Sequence, residues 1–213
     1  MTPSGAASIR SSGFRSELGR PTSSGRAGCV RIIGGRWRGR RVSFPGSEGL
    51  RPTPDRVRET VFNWLTPYLP GARVLDLFAG SGVLGLEALS RGAASVVAVE
   101  KHRRVADQLR ESARALEAEG FEVVVMDVMA FLRTPRPPFD VIFADPPHAT
   151  ADYESLFAAL DASGLAGPAA FFYLEFSSPR SSAFSTPDSW ICHRTSRAGH
   201  LTYQLWRRAE RPD

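Results

Sequence analysis

Apolar positions recur along this chain on two periods, one of strands and one of helices. Val30-Arg31-Ile32-Ile33, the pair Gly34-Gly35 and the run Arg36-Trp37-Arg38-Gly39-Arg40-Arg41-Val42 read as a short β-ribbon with glycine turns. Its outward side chains are mostly arginine. Thr53-Pro54 marks a helix start, with Thr53 as N-cap and Pro54 in the first helical position. Val57, Val61, Trp64 and Leu65 then form one apolar stripe at helical spacing, with Arg51, Arg56 and Glu59 off it.

Residues 71–177 alternate strand and helix patterns. Strands are expected at Arg73–Phe78, Ser95–Glu100, Glu122–Met126, Val141–Ala144 and Phe171–Phe176. A helix begins at Leu84–Ser90 after a glycine-rich turn, and another covers Arg103–Glu119, ending at Gly120. This alternation implies parallel βαβ units, an α/β doubly wound sheet. Trp190–Arg194 and His200–Trp206, joined near Gly199, read instead as an antiparallel hairpin closing that sheet. The expected organisation is a disordered basic tail over 1–28, a ribbon-and-helix extension over 29–70, a main domain over 71–208 and a short tail over 209–213. The first segment is also Arg- and Ser-rich like an organelle transit peptide, although a basic RNA-touching tail or plain disorder is the reading preferred here.

Composition sharpens this picture mainly through charge. The formal net charge is +5, and Lys101 is the only lysine among 27 basic residues. Residues 1–60 carry +8 and the rest −3, so a basic front on a mildly acidic body is expected to meet an anionic partner. Arginine suits phosphate forks and base stacking, although a GC-rich coding sequence would produce the same bias. Cys29 and Cys192 form neither a disulfide framework nor a metal-ligand pattern, so no metal is expected. No apolar run approaches the ~20 residues of a membrane span, and no secretory signal is read at the start. A cytoplasmic monomer is the expectation.

Four carboxylate-bearing turns carry the candidate chemistry. Asp76-Leu77-Phe78-Ala79-Gly80-Ser81-Gly82-Val83-Leu84-Gly85 lies at the first strand-to-helix turn, its glycines spaced G-x-G-x-x-G. Such a turn lets a ligand approach backbone N–H groups, but Asp76 suits an ammonium group and not a pyrophosphate. Glu100 ends the second strand, where an acid can bind a ribose diol, or be merely solvated. Asp127 follows the third strand, where it can accept from an adenine amine or cap the next turn. Phe143-Ala144-Asp145-Pro146-Pro147-His148 ends the fourth strand. Its prolines stiffen the turn and leave carbonyls without competing donors. Asp145 and the Pro146 carbonyl can together grip an exocyclic NH₂, favouring the more tetrahedral nitrogen on which positive charge develops.

At these residues the chain resembles S-adenosylmethionine-dependent amino-methyltransferases. Further stretches narrow the likeness: Arg31–Gly39, Leu50–Thr60, Phe78–Gly82 running into Gly85–Gly92, and the hairpin over Arg194–Arg207. Together they resemble the bacterial 16S ribosomal RNA guanine-N2 methyltransferases of the RsmD type, over nearly all of residues 30–208. The resemblance implies a Rossmann-like class I methyltransferase fold, with a mostly parallel seven-stranded sheet and an N-terminal β-ribbon extension. It implies S-adenosyl-L-methionine as cofactor and small-subunit rRNA, free or in a particle, as partner. Asp76, Phe78, Gly80, Ser81 and Gly82 would then lie around the methionine part, Glu100 and Lys101 at the ribose, and Asp127 and Val128 at the adenine. Asp145, Pro146, Pro147 and His148 would form the catalytic corner, and Arg36, Arg38, Arg40, Arg41, Arg51 and Arg56 would meet the RNA.

One position departs from the family motif, which ends in Phe or Tyr where this chain has His148. Imidazole stacking on a flipped base is the reading adopted; a nearby Phe or Tyr153 taking over, or weakened activity, are the alternatives. Trp37 could stack on a base or pack on the ribbon. Three other functions stay in view: an adenine-N6 DNA methyltransferase, a catalytically weak ribosome-assembly factor and, disfavoured by Asp76, a nicotinamide-dependent oxidoreductase.

Overall fold

The computed structural model describes residues 28–44, 53–147, 151–177 and 184–209. The expected tail over 1–28 lies outside them except for Gly28, as do Arg51, His148 and all but Ala209 of the 209–213 tail.

Seven strands form one sheet. In chain order they are β3 (Arg73–Asp76), β4 (Ser95–Glu100), β5 (Phe121–Val125), β6 (Phe139–Ala144), β7 (Ala166–Ser177), β8 (Trp190–Ala198) and β9 (Leu201–Arg208). Their spatial order is β5-β4-β3-β6-β7-β9-β8, parallel from β5 to β7 and antiparallel for β9 and β8. The order reverses between β3 and β6, the switch point where open α/β sheets take their ligands at the strands' carboxyl ends. This is the doubly wound sheet with a closing hairpin that the alternation predicts.

Helices α2 (Val83–Ser90), α3 (Arg103–Ala115), α4 (Val128–Phe131) and α5 (Tyr153–Ser163) connect the strands. One face of the sheet packs through Val74, Val96, Phe143 and Tyr173 against α1 (Asp55–Leu65), α2 and α3. The other packs through Leu75, Val97, Ile142 and Phe172 against α4 and α5. Alternating residues of each strand thus feed two cores, which explains the near-continuous apolar runs.

Two helix boundaries differ from expectation. Helix α3 stops at Ala115 because Glu117 turns left-handed, with φ of 52°, short of the predicted Gly120. Thr53 is not the N-cap of α1. Pro54 holds that position, its carbonyl accepting from Val57 and Arg58 N–H, and no side chain caps the helix. The Thr53 hydroxyl is turned instead toward the carboxyl groups of Asp145 and Glu175.

The ribbon, β1 (Gly28–Arg31) paired with β2 (Arg41–Phe44), is moored to α2. Ile33 N–H donates to Glu87 Oε2 (2.8 Å), Trp37 N–H to Ser90 Oγ (2.9 Å), and Ser90 Oγ to the Gly34 carbonyl (2.7 Å). Gly35 makes this approach possible: its φ is +73°, and a Cβ there would sit 1.9 Å from the Ser90 carbonyl oxygen. Trp37 is buried against this core with the Arg36 guanidinium 4.1 Å over its ring, so it packs on the ribbon. Arg58, fully buried, donates to the Arg31 carbonyl (2.8 Å), the Thr53 carbonyl (3.2 Å), Asp55 Oδ1 (2.5 Å) and Glu87 Oε2 (3.4 Å). One guanidinium therefore ties together the ribbon, the entry to α1 and helix α2.

Candidate active site

The carboxyl ends of β3, β4, β5 and β6 bring Asp76, Glu100, Asp127 and Asp145 to one edge of the sheet. The register pairs Asp76 with Phe143, so the glycine turn leaving β3 and the proline corner leaving β6 stand side by side. Strands in a sheet are about 4.8 Å apart, close enough for a small ligand on the turn to face the corner.

The turn is braced from within. Gly80 N–H donates to Glu100 Oε2 (3.1 Å) and Gly85 N–H to Asp76 Oδ2 (3.2 Å). Gly82 has φ of +72°, and a Cβ there would meet Leu109 Cδ1 at 2.1 Å. Only glycine closes the turn in this form. Two of the amides expected to face a ligand are therefore already committed to acids, while Asp76 and Glu100 present their remaining lone pairs. Asp76 is buried, and burial with the nearby Glu100 charge lifts its carboxyl to about 7. Ser81 is buried and Phe78 half-buried beside the turn.

Glu100 is also bound on its other oxygen, with His102 N–H donating to Oε1 (2.7 Å). Lys101 is exposed beside it. Asp127 is the N-cap of α4, Oδ1 accepting from Met129 N–H (2.9 Å) and Ala130 N–H (3.2 Å). The capping role weighed for Asp127 is thus present. Val128 behind it is buried, whereas Val125 and Met129 flank it as exposed apolar side chains.

At the corner Asp145 is half-buried, Pro146 buried and Pro147 exposed. The sequence reading missed two residues here. Glu175, buried, follows the register pair Ala144↔Leu174 and so lies next to Asp145 on the neighbouring strand. Tyr173 O–H donates to Glu175 Oε2 (2.7 Å). Burial, then the Glu175 and Asp76 charges, push the Asp145 carboxyl well above its usual range, against the opposing pull of the Thr53 hydroxyl. The available signal was a single acid inside the otherwise apolar run Phe171–Phe176, and a threonine whose local cap preference was overridden.

Tyr153 is buried, its ring packed against Phe176 and Phe184. The arginines divide between two places. Arg56 is exposed on the first turn of α1, three residues after Thr53. Arg40 donates to the Ala115 carbonyl at the end of α3 (3.0 Å), and Arg36 lies beside Ala94 and Gly120 at the entries to β4 and β5. The ribbon tip with Arg36, Arg38 and Arg40 therefore sits at the amino end of the sheet. Six residues of strand, about 20 Å, separate it from the corner. Arg41 is exposed at the start of β2. Among the described residues no cluster of His, Cys, Asp and Glu suits a metal ion, and no helix is long and apolar enough to cross a membrane.

The family model described as conserved hypothetical protein 95 matches residues 30–207. Ribosomal RNA small subunit methyltransferase D of Escherichia coli K12 is 43% identical over 189 residues, 89% of this chain and 94% of the relative. The Haemophilus influenzae protein of the same name is 42% identical over 84% of this chain and 94% of its own. The chain belongs to the RsmD family. Its fold is also that of solved members and neighbours: yhhF from Escherichia coli superposes with a TM-score of 0.79 at 40% identity, covering 86% of this chain and 100% of that one. SMU.776, solved in complex with SAH, shares the fold at 16% identity, with a TM-score of 0.65 over 79% of this chain and 54% of that one. The match covers the Arg58-centred mooring, the proline corner and all of the ribbon but Gly28 and Cys29.

Proposed function

We propose that this chain methylates the exocyclic N2 of a guanine in small-subunit ribosomal RNA, using S-adenosyl-L-methionine, as a cytoplasmic monomer. The observation that carries this reading is the side-by-side placement of the Gly80–Gly82 turn and the Asp145–Pro147 corner at the switch point of the sheet. Family membership supplies the substrate class, since its relatives are named for small-subunit ribosomal RNA.

The residues present fit the cofactor. Asp76 is a buried acid with no cation paired to it among the described residues, as an ammonium-binding carboxylate should be. Exposed Val125 and Met129 beside Asp127 offer apolar faces for a flat heterocycle. When bound, S-adenosylmethionine supplies an electrophilic methyl group carried on a sulfonium. Asp76, Phe78, Gly80, Ser81 and Gly82 would hold its amino-acid part, Glu100 and Lys101 its ribose, and Asp127 and Val128 its adenine.

The chain's own residues then do the rest. Asp145 and the Pro146 carbonyl accept the two amine hydrogens and orient the N2 lone pair toward the glycine turn. Pro147 keeps the corner rigid, and His148 stacks on the flipped guanine. Arg56 holds phosphate beside the corner, and Arg51, outside the described residues, joins the same proposed RNA-binding set. Arg36, Arg38, Arg40 and Arg41 hold phosphates along the ribbon, so the RNA must be large enough to span the sheet. The test is mass-spectrometric mapping of small-subunit rRNA from cells lacking the protein. One N2-methylguanine should disappear and be restored by adding purified protein to isolated particles; an unchanged map overturns the reading.

A further inference from the structure

The catalytic corner contains one buried acid that this mechanism leaves unused. Glu175 and Tyr173 point to the same face of β7, two residues apart, and Asp145 continues the face of Phe143 on β6. With Ala144 paired to Leu174, the next step of the ladder sets the Asp145 and Glu175 side chains on one face of adjacent strands. Glu175 is only 4% exposed. Around the two carboxyls stand the Thr53 hydroxyl from the entry to α1, the Tyr173 hydroxyl from β7 and Asp76 from β3. Tyr203 of β9 lies beyond Tyr173, and Glu100 of β4 beyond Asp76. None of these is a cation, and the ion pairs seen among the described residues lie elsewhere.

A structural role alone gives a poor account of this arrangement. A buried acid whose neighbours are other acids is costly, and an apolar or amide side chain would fill the same site without that cost. A like charge held beside a catalytic carboxylate has one chemical consequence: it makes that carboxylate a stronger base. The Tyr173 hydrogen bond favours the ionised form of Glu175, which lets a charge be held beside Asp145.

We infer that Glu175 is a positioning residue that keeps Asp145 basic enough to take the proton released from the guanine amine. This rests on the methyltransferase reading above and deepens it. In the balanced step, N2 forms its bond to the methyl carbon while the donor's S–CH₃ bond breaks, that electron pair staying on sulfur. The nitrogen is left with one proton in excess. Asp145 takes that proton as its carboxylate becomes a carboxylic acid, and water receives it once the product leaves. A carboxylate of ordinary basicity would be a weak acceptor, and the Glu175 charge corrects this.

The two neighbours of Asp145 push it in opposite directions, which provides the test. Full-length protein and small-subunit particles are assayed for methyl transfer from pH 5 to 9, with cofactor affinity measured by calorimetry. E175Q keeps an acceptor for the Tyr173 hydroxyl and should move the acid limb of kcat down by about one to two pH units. The plateau rate should fall as well. T53V, which removes the hydroxyl that favours ionised Asp145, should move the acid limb up. Cofactor affinity should stay within about twofold in both, because neither side chain lies on the glycine turn.

Superimposable profiles for wild type and E175Q, with wild type active, overturn the role of Glu175 and leave the methyltransferase reading intact. So does an acid limb unmoved in E175Q but lost in H148F, which would assign it to the imidazole. If E175Q does not fold, Y173F carries the test instead: losing the hydroxyl that favours ionised Glu175 should move the acid limb down, and an unmoved limb overturns the role of Glu175. Absence of methyl transfer by the wild-type protein at every pH overturns the underlying reading instead.

Discussion

Arg58 and Glu87 meet inside the protein, Nη1 to Oε2 at 3.4 Å, with both side chains wholly shielded from solvent. Glu87 is shared further, Oε1 accepting from Arg91 Nε (2.8 Å) and Oε2 from Ile33 N–H. Through the Thr53 carbonyl, the same guanidinium fixes the backbone that carries the Thr53 hydroxyl to Asp145. The pair thus couples the ribbon to the Asp145 corner.

Replacing Arg58 with methionine should therefore cost about 3 kcal/mol, because it takes one of two arginines from the buried Glu87 carboxylate and a donor from the Arg31 and Thr53 carbonyls. Urea denaturation followed by circular dichroism measures this. A loss below about 1 kcal/mol would mean that the ribbon is held by its apolar contacts alone.

Asp145→Ala should nearly abolish methyl transfer, a loss of about a hundredfold or more in kcat, while cofactor binding survives. Single-turnover kinetics alongside calorimetry separate the two effects. Equal turnover in mutant and wild type removes Asp145 from the mechanism.

Cofactor affinity should depend on pH through Asp76. Its carboxyl titrates at about 7 in the free protein, and a bound ammonium group needs it ionised. Affinity should fall toward tenfold per unit as pH drops below about 7, with proton release on binding, and D76N should flatten the profile. The stability of the free protein runs the other way. A carboxyl raised in the folded state contributes fully below about 4, and that contribution is lost as pH rises through about 7. Calorimetric titrations in buffers of different ionisation enthalpy check the proton count.

Helical periodicity, glycine spacing and the proline corner made most of this molecule legible in its residues. Strands Ser95–Glu100 and Arg73–Asp76 appear as apolar runs because both faces of the sheet are covered. Helix α5 and the early start of β7 at Ala166 were not foreseen. Asp152 caps α5 by accepting from Ser155 N–H (3.1 Å), and Leu156, Phe157 and Leu160 bury its inner face. Thr53 was misread because its best acceptors arrive from distant strands, which no local cap rule contains. Nothing local in the sequence marks Arg58 and Glu87 as buried; only their meeting in space makes burial tolerable.

The arginines should separate by position. R56A should weaken binding both of a short single-stranded RNA and of a structured small-subunit fragment, flattening the salt dependence by about one unit of slope. Replacing Arg36, Arg38 and Arg40 together should weaken binding of the structured fragment only, because the ribbon tip lies at the far end of the sheet. Fluorescence anisotropy over a salt series reads both. A triple variant that affects the two RNAs alike would place the RNA differently.

The most direct measurement is a crystal structure of the protein with S-adenosylhomocysteine and a guanine nucleotide. The account predicts the sulfur above the Gly80–Gly82 turn, facing the Asp145–Pro146 corner, with guanine N2 held between the Asp145 carboxylate and the Pro146 carbonyl. A sulfur aimed away from that corner, or a base bound with another edge toward it, would contradict it.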